Sequence, residues 1–355
     1  PCVVVADTWS LFYLLGQLIL LVLILVGGLG YMTMVLMASM LLGRKIGLRQ
    51  RGLMAESVSA ERLSDSVALL RYILTGTAAI EGTGAVLLAF RFIPELGFSQ
   101  GAWYALFHSV SAFCNAGFDL MGFREPYSSL THYVYDPLVN LTACALVLLG
   151  GLGFLVWRDV WEKGLHFRRY SLHSKLILTA TVLLTLGGAA LFWLAERANL
   201  LAGMSPAQQA LCALFQAVSP RTAGFNTVDL AQLTSAGGLL TIVLMFIGAG
   251  PGSTGGGVKI TTVVVCLLTL ASYIRGRREV GAFNRRLDEE QIHRAAAGVT
   301  LYMTLVLSGG FLLLATQTFP LQDALFEIFS AMSTVGLSTG ITRALSPFNR
   351  ALLIV

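Results

Sequence analysis

The sequence predicts an all-α membrane protein assembled from repeated units, and three observations carry that prediction. Hydrophobic residues make up 55% of the chain and charged residues 12%, with a mean hydropathy of +0.74. Soluble domains carry roughly 25% charged residues, so this chain is composed for a bilayer, where helices satisfy the backbone internally. One pattern occurs three times, as ALFHSVSAFCNAGFDL (105–120), ALFQAVSPRTAGFNTVDL (213–230) and ALFEIFSAMSTVGLSTGI (324–341). Lysine and arginine are concentrated between the apolar stretches: segments 43–66, 158–175 and 275–294 hold 16 of the 24. At about 20 residues per span plus loops, 355 residues allow about six to nine spanning helices.

Taken in order, Pro1–Ser10 has no initiator methionine, and residues 11–42 are apolar throughout. That stretch is interrupted by Gly27-Gly28-Leu29-Gly30 and is long enough to span with tilt. Basic Gly43–Arg51 and polar, helix-compatible Glu56–Asp65 follow. Val67–Phe92 is the next span and carries Glu81 near its middle, whereas Phe98–Phe113 is amphipathic and too short to cross. His132–Val160 reads as one full span. Its Gly150-Gly151-Leu152-Gly153-Phe154 echoes Gly27–Tyr31, and both are expected to be notches for close helix packing. Leu176–Ala195 spans again. Ser205-Pro206-Ala207-Gln208 then combines an N-cap serine, a proline at the first helical position and a glutamine three residues on, which together start a short helix. Gly238–Ile274 is apolar but broken by GAGPGSTGGGVK (248–259). Ala295–Ala315 spans, Leu321–Met332 is a last short helix, and Arg350–Val355 opens an apolar helix.

The order is span, short helix, loop, span. It divides the chain into 1–42 (the end of a first unit), 67–160, 176–274 and 295–355. Four such units in one chain would surround a pseudo-fourfold pore. By the positive-inside rule the three basic segments are cytoplasmic, which puts all three repeated loops on the outer side. The net charge of +5 is thus distributed by topology and gives no nucleic-acid signal. The five cysteines (2, 114, 144, 212, 266) contain no C-x-x-C pair and read as small apolar residues, and the scattered histidines offer no metal constellation.

Each repeated loop has a serine (Ser111, Ser219, Ser330), then a glycine followed by a large apolar residue. The cores Asn115-Ala116-Gly117, Thr222-Ala223-Gly224 and Thr334-Val335-Gly336 resemble the TVGYG loop of potassium-channel filters, where backbone carbonyls replace the ion's water shell. The short helices would point their C-terminal carbonyls, roughly half a negative charge each, toward the same pore. With FHSVSAFCNAGF (107–118), FQAVSPRTAGFNTVDL (215–230), FIGAGPGSTGGGVKITT (246–262) and FSAMSTVGLSTGIT (329–342), the chain resembles the Trk/Ktr/HKT superfamily of potassium transporters, most closely the bacterial Ktr/Trk-type membrane subunit.

That resemblance implies M1-P-M2 units (span, pore helix, filter loop, span). It implies uptake of potassium, with sodium possible, across the plasma membrane by a multi-pass homodimer. It also implies a cytoplasmic nucleotide-binding regulatory ring and no bound cofactor. The first filter and most of the last span would be missing, so the sequence is expected to be a fragment. Two other classes stay open: the potassium-binding subunit of a P-type pumping complex, and a membrane-embedded enzyme or non-conducting subunit. No acid–base or nucleophile–base pair recurs in the segments, so no enzyme activity is expected.

Gly248, Ala249, Gly250, Pro251, Gly252, Ser253, Thr254, Gly255, Gly256 and Gly257 include six glycines and one proline, too many helix breakers for a continuous helix. Irregular backbone at membrane depth is tolerated only when buried in protein or lining a watery cavity. The segment is therefore expected to be a gating loop beneath the filter, with Lys259 holding it closed. Its likeness to the phosphate loop G-x-x-x-x-G-K-[ST] fails, because Val258 separates Gly257 from Lys259 and Ile260 replaces the hydroxyl residue. Glu81, a membrane-depth acid, is open between a hydrogen bond to a neighbouring unit and a place near the pore. Arg221 is expected to brace its loop from behind, since a cation in the pathway would repel the ion.

Overall fold

The computed structural model describes residues 7–30, 65–164, 166–277 and 279–354. The end of the first span, basic Gly43–Arg51 and nearly all of Glu56–Asp65 lie outside the described residues. The chain's regular secondary structure among the described residues is helical apart from a small antiparallel hairpin, β1 (Gly281–Ala282) and β2 (Arg285–Arg286), and an isolated bridge between Ile247 and Val258. The first unit contributes α1 (Thr8–Leu11) and α2 (Leu14–Leu29). The second runs through α3 (Asp65–Leu96), α4 (Phe98–Phe113), α5 (Pro137–Leu152) and α6 (Phe154–Lys163). The third is α7 (Leu172–Glu196), α8 (Pro206–Val218), α9 (Ser235–Phe246) and α10 (Ile260–Ile274). The fourth is α11 (Glu289–Thr316), α12 (Leu321–Met332) and α13 (Pro347–Ile354).

Helix α7, helix α11 and the α3 segment from Arg71 are long and apolar enough to cross a bilayer. Their outward faces expose Phe90, Leu183, Leu186 and Phe311. On a soluble protein such a face would be an aggregation liability; here it matches lipid. The short helices start where local chemistry says they should. Ser205 and Gln208 form a reciprocal capping box at α8, and Asp136 caps α5 with Pro137 at the first position. Inside, Phe92, Phe107 and Phe113 pack with Phe225 of the third unit, while Phe192, Val306, Leu313 and Phe326 join the third and fourth. In a membrane this packing rests on close contact rather than on expulsion of water.

His132–Val160 is not one continuous span. A 3₁₀ turn at Thr131–Tyr133 precedes α5, and α5 meets α6 at a 94° bend. The bend sits at Gly153, whose φ of +95° favours glycine, and a β-carbon there would lie 2.6 Å from the Pro251 carbonyl oxygen. Phe154 N–H donates to Gly252 O at 2.9 Å across the same gap. A loop about a hundred residues further on thus turns the helix. The glycine notches do allow close approach: a β-carbon on Gly28 would lie 2.5 Å from Cys114 Sγ, and one on Gly150 would lie 1.9 Å from Phe113 O. After the bend, Asp159 ties α6 to the start of α7. It accepts from Lys163, from Ser171 N–H at 2.9 Å, and from the Ser171 and Ser174 hydroxyls at 2.6 Å each.

Candidate cation pathway

The short helices α4, α8 and α12 each run into a loop with the same backbone signature. Two residues before its glycine, each loop has a non-glycine residue with positive φ: Asn115 (50°), Thr222 (72°) and Thr334 (57°). The glycines follow at 68° (Gly117), 81° (Gly224) and 91° (Gly336). A β-branched residue in this region is strained by about 1–3 kcal/mol and persists only where its surroundings impose it. Between these pairs lie Ala116, half-buried, and Ala223 and Val335, fully buried.

The repeated serines hold these loops from the helix side. Ser111 Oγ donates to Phe118 O at 2.7 Å, Ser219 Oγ donates to Phe225 O, and Ser330 Oγ accepts from Gly336 N–H at 3.1 Å. The loops also meet one another. A β-carbon on Gly224 would lie 2.1 Å from Val335 O and 3.3 Å from Gly117 Cα, so backbone from all three converges at one point. On one side of it opens a cavity of about 350 Å³ lined by Gly117, Gly224 and Gly336. Asp7, Asp119, Asp229 and Arg343 also line it, and the Arg343 guanidinium lies 4.5 Å from the centre of the Tyr127 ring.

On the other side lies the glycine-rich segment 248–257. A β-carbon on Gly255 would be 2.4 Å from Thr222 Oγ1, and one on Gly256 would be 2.0 Å from Thr334 Oγ1. Asn115 Nδ2 donates to Thr254 Oγ1 at 2.9 Å. The segment therefore touches the left-handed residue of every described loop. It is folded on itself by Gly248 N–H to Val258 O (2.9 Å), Ser253 Oγ to Gly250 O (2.5 Å) and Lys259 Nζ to Gly255 O (2.7 Å). It is also fastened to the α5–α6 bend, with Gly250 N–H donating to Gly151 O at 2.8 Å and Thr254 N–H donating to Gly150 O at 3.2 Å. Asn115 Oδ1 and Thr222 Oγ1 are buried without a hydrogen-bond partner among the described residues.

Of the other expected residues, Arg221 points away from the cavity, toward Thr185 Oγ1 (3.3 Å) and Thr181 Oγ1 (3.5 Å) on α7. Glu81 bonds within its own unit. Cys114 Sγ donates to its carboxylate at 3.6 Å, and Ser109 Oγ donates to its backbone carbonyl at 2.6 Å. Among the described residues it bonds to no neighbouring unit and does not line the cavity. Sequence reasoning passed over the carbonyls of Gly150 and Gly151, which look like packing glycines along the chain. It also passed over Arg343, whose place on the rim depends on contacts between units.

Comparison with known proteins adds the family. The model of the cation transport protein family TrkH matches residues 5–355. The chain belongs to this TrkH family. It is 40% identical to Ktr system potassium uptake protein B of Vibrio alginolyticus, over 99% of this chain and 77% of that protein. It is 37% identical to the protein of the same name from Bacillus subtilis, over 99% of this chain and 78% of that one. The Potassium/sodium uptake protein NtpJ of Enterococcus hirae is 36% identical over 96% of this chain and 75% of its own length. The crystal structure of the potassium transporter TrkH from Vibrio parahaemolyticus superposes with a TM-score of 0.68 at 18% identity. It covers 86% of this chain, which spans 64% of that one, and it shows the shared fold. As a TrkH-family member the chain is an integral membrane transport protein rather than an enzyme, with M1-P-M2 units as its architecture.

Proposed function

We propose that this TrkH-family chain takes up potassium across the plasma membrane through the converging loops, with segment 248–257 as the gate. The observation that carries the reading is the repeated pair of left-handed residues, Asn115/Gly117, Thr222/Gly224 and Thr334/Gly336, meeting at the base of the cavity. Such a backbone turns successive carbonyls toward one axis, and carbonyl oxygens can replace the water of an alkali cation. The unpaired oxygens of Asn115 and Thr222 add neutral hard ligands at the inner end. No chemical step is needed. The membrane potential supplies about 2.3 kcal/mol per charge per 100 mV. Potassium uptake by the intact transporter in an uptake-deficient strain tests this: growth at low potassium is expected, and no growth despite membrane expression would sink it.

The names of the relatives favour a multi-subunit system, and the basic loops, with Arg275, Arg277, Arg285 and Arg286 beside the β1–β2 hairpin, suit a cytoplasmic regulatory ring that binds nucleotide. A homodimer is part of the same reading. Sodium permeability is a second reading, favoured by the potassium/sodium name of the Enterococcus hirae relative. The orientation can be checked directly. Single cysteines placed in 275–294 are expected to resist membrane-impermeant reagents added outside, and those in 118–131 to react. External labelling within 275–294 would invert the topology.

A further inference from the structure

The residue directly after each Ala-Leu-Phe is polar: His108, Gln216 and Glu327. Each precedes its loop-anchoring serine by three residues and so shares that serine's helix face. All three are buried, at 3%, 1% and 3% exposure. Their bonding differs. His108 Nε2 accepts from Leu120 N–H at 3.3 Å, which places the ring proton on Nδ1, 2.8 Å from Tyr104 O. Leu120 follows cavity-lining Asp119. The Glu327 carboxylate accepts from Ser338 Oγ with one oxygen and from Thr342 Oγ1 at 2.5 Å with the other. Ser338 lines the cavity, and its Oγ also accepts from Gly340 N–H at 2.9 Å. Gln216 has neither amide atom bonded among the described residues.

We infer that His108 and Glu327 are specificity-determining positioning residues, which pin the outer ends of the second and fourth loops and so set the spacing of the ion-facing groups. This rests on reading the loops as a filter. The second and fourth loops are each held at two points, by serine and by the residue three positions earlier. In the third, Gln216 makes no such bond among the described residues, and the outer end is held instead at Asn226, whose N–H donates to Ser129 Oγ at 3.3 Å and whose carbonyl accepts from Leu130 N–H at 3.0 Å. Discrimination between alkali cations depends on the number and spacing of coordinating oxygens. A loop pinned twice resists the inward collapse that a smaller ion requires. Glu327 is the stronger pin, because it holds two hydroxyls of its loop, Ser338 and Thr342, where His108 holds one backbone N–H, that of Leu120.

The test is potassium and sodium uptake by the intact transporter in liposomes. Glu327→Ala is expected to lower the potassium-to-sodium uptake ratio about ten-fold, which corresponds to about 1.4 kcal/mol of differential coordination. Glu327→Gln keeps an acceptor for Ser338 and a donor for Thr342, and should restore the ratio to within about two-fold of the parent. Ser338→Ala combined with Thr342→Val removes the partners instead, and should reproduce the alanine effect even if Glu327→Ala does not fold. Gln216→Leu, which removes an unbonded amide, should leave the ratio unchanged. A parental ratio in both Glu327→Ala and the Ser338/Thr342 pair, or an equal fall in Gln216→Leu, overturns the inference. A parent that takes up no potassium at all overturns the underlying filter reading instead.

Discussion

Potassium uptake by a Gly224→Val transporter is expected to fall to background while the protein remains in the membrane. Two costs coincide at this position. The backbone has φ of +81°, where an L residue is disfavoured by roughly 1–2 kcal/mol. In addition, the new β-carbon would lie 2.1 Å from Val335 O and 3.3 Å from Gly117 Cα. Both obstacles are backbone, in the two neighbouring loops, and Val335 is itself fully buried. No side chain can swing aside. The loops must spread, and overpacking of this kind costs about 1–3 kcal/mol more. The sum is small against a whole helical scaffold but falls entirely on the carbonyls proposed to face the ion. Gly224→Asp adds a charge at the same place and should be equally inactive. Membrane content is read by immunoblot and function by growth at low potassium; parental growth of the valine variant would remove this loop from the pathway.

The second large effect is expected in the opposite direction. Shortening Ala249–Gly256 should raise potassium flux and weaken its dependence on a regulatory partner. This segment occupies the space under all three described loops and is held there by identifiable bonds. Two of them meet at Thr254, whose hydroxyl accepts from Asn115 Nδ2 at 2.9 Å and donates to Phe113 O at 2.8 Å. Thr254→Val deletes both at nearly constant volume. At about 1 kcal/mol per net hydrogen bond, the closed arrangement should lose about 2 kcal/mol. That corresponds to a rise in the open-to-closed ratio of more than ten-fold. Lys259→Ala should act the same way by releasing Gly255 O. Flux is measured as rubidium or potassium entry into liposomes without the partner. A folded, filter-intact deletion no more permeable than its parent would show that the segment is not a gate.

Much of the architecture could be read along the chain because its causes are local. The length of an apolar run separates spans from the short helices Phe98–Phe113 and Leu321–Met332, and both have those bounds. The Ser205–Gln208 capping box is a contact over three residues, and it forms. Six glycines and a proline forbid a helix between α9 and α10 whatever surrounds them. Glycine also marks where backbone must turn left-handed, as Gly117, Gly224 and Gly336 do.

The rest was decided by contacts between distant segments. Nothing local in Thr222 or Thr334 favours positive φ, and intrinsic preference opposes it; the angle becomes tolerable only where the loops meet. The apolar run through Gly153 is consistent with a straight helix. Its 94° bend exists because Pro251 and Gly252 pack into the gap and supply the hydrogen-bond acceptor for Phe154. Glu81 found its partner in Cys114, 33 residues on, and Arg221 found Thr185 and Thr181 on α7. Composition and periodicity therefore determined that this chain is a repeated helical membrane protein with three glycine loops. Only the tertiary structure decided which backbone atoms those loops bring together and what lies beneath them, because a hydrogen bond or a steric limit acts over a few ångströms of space, however far apart its partners stand in the chain.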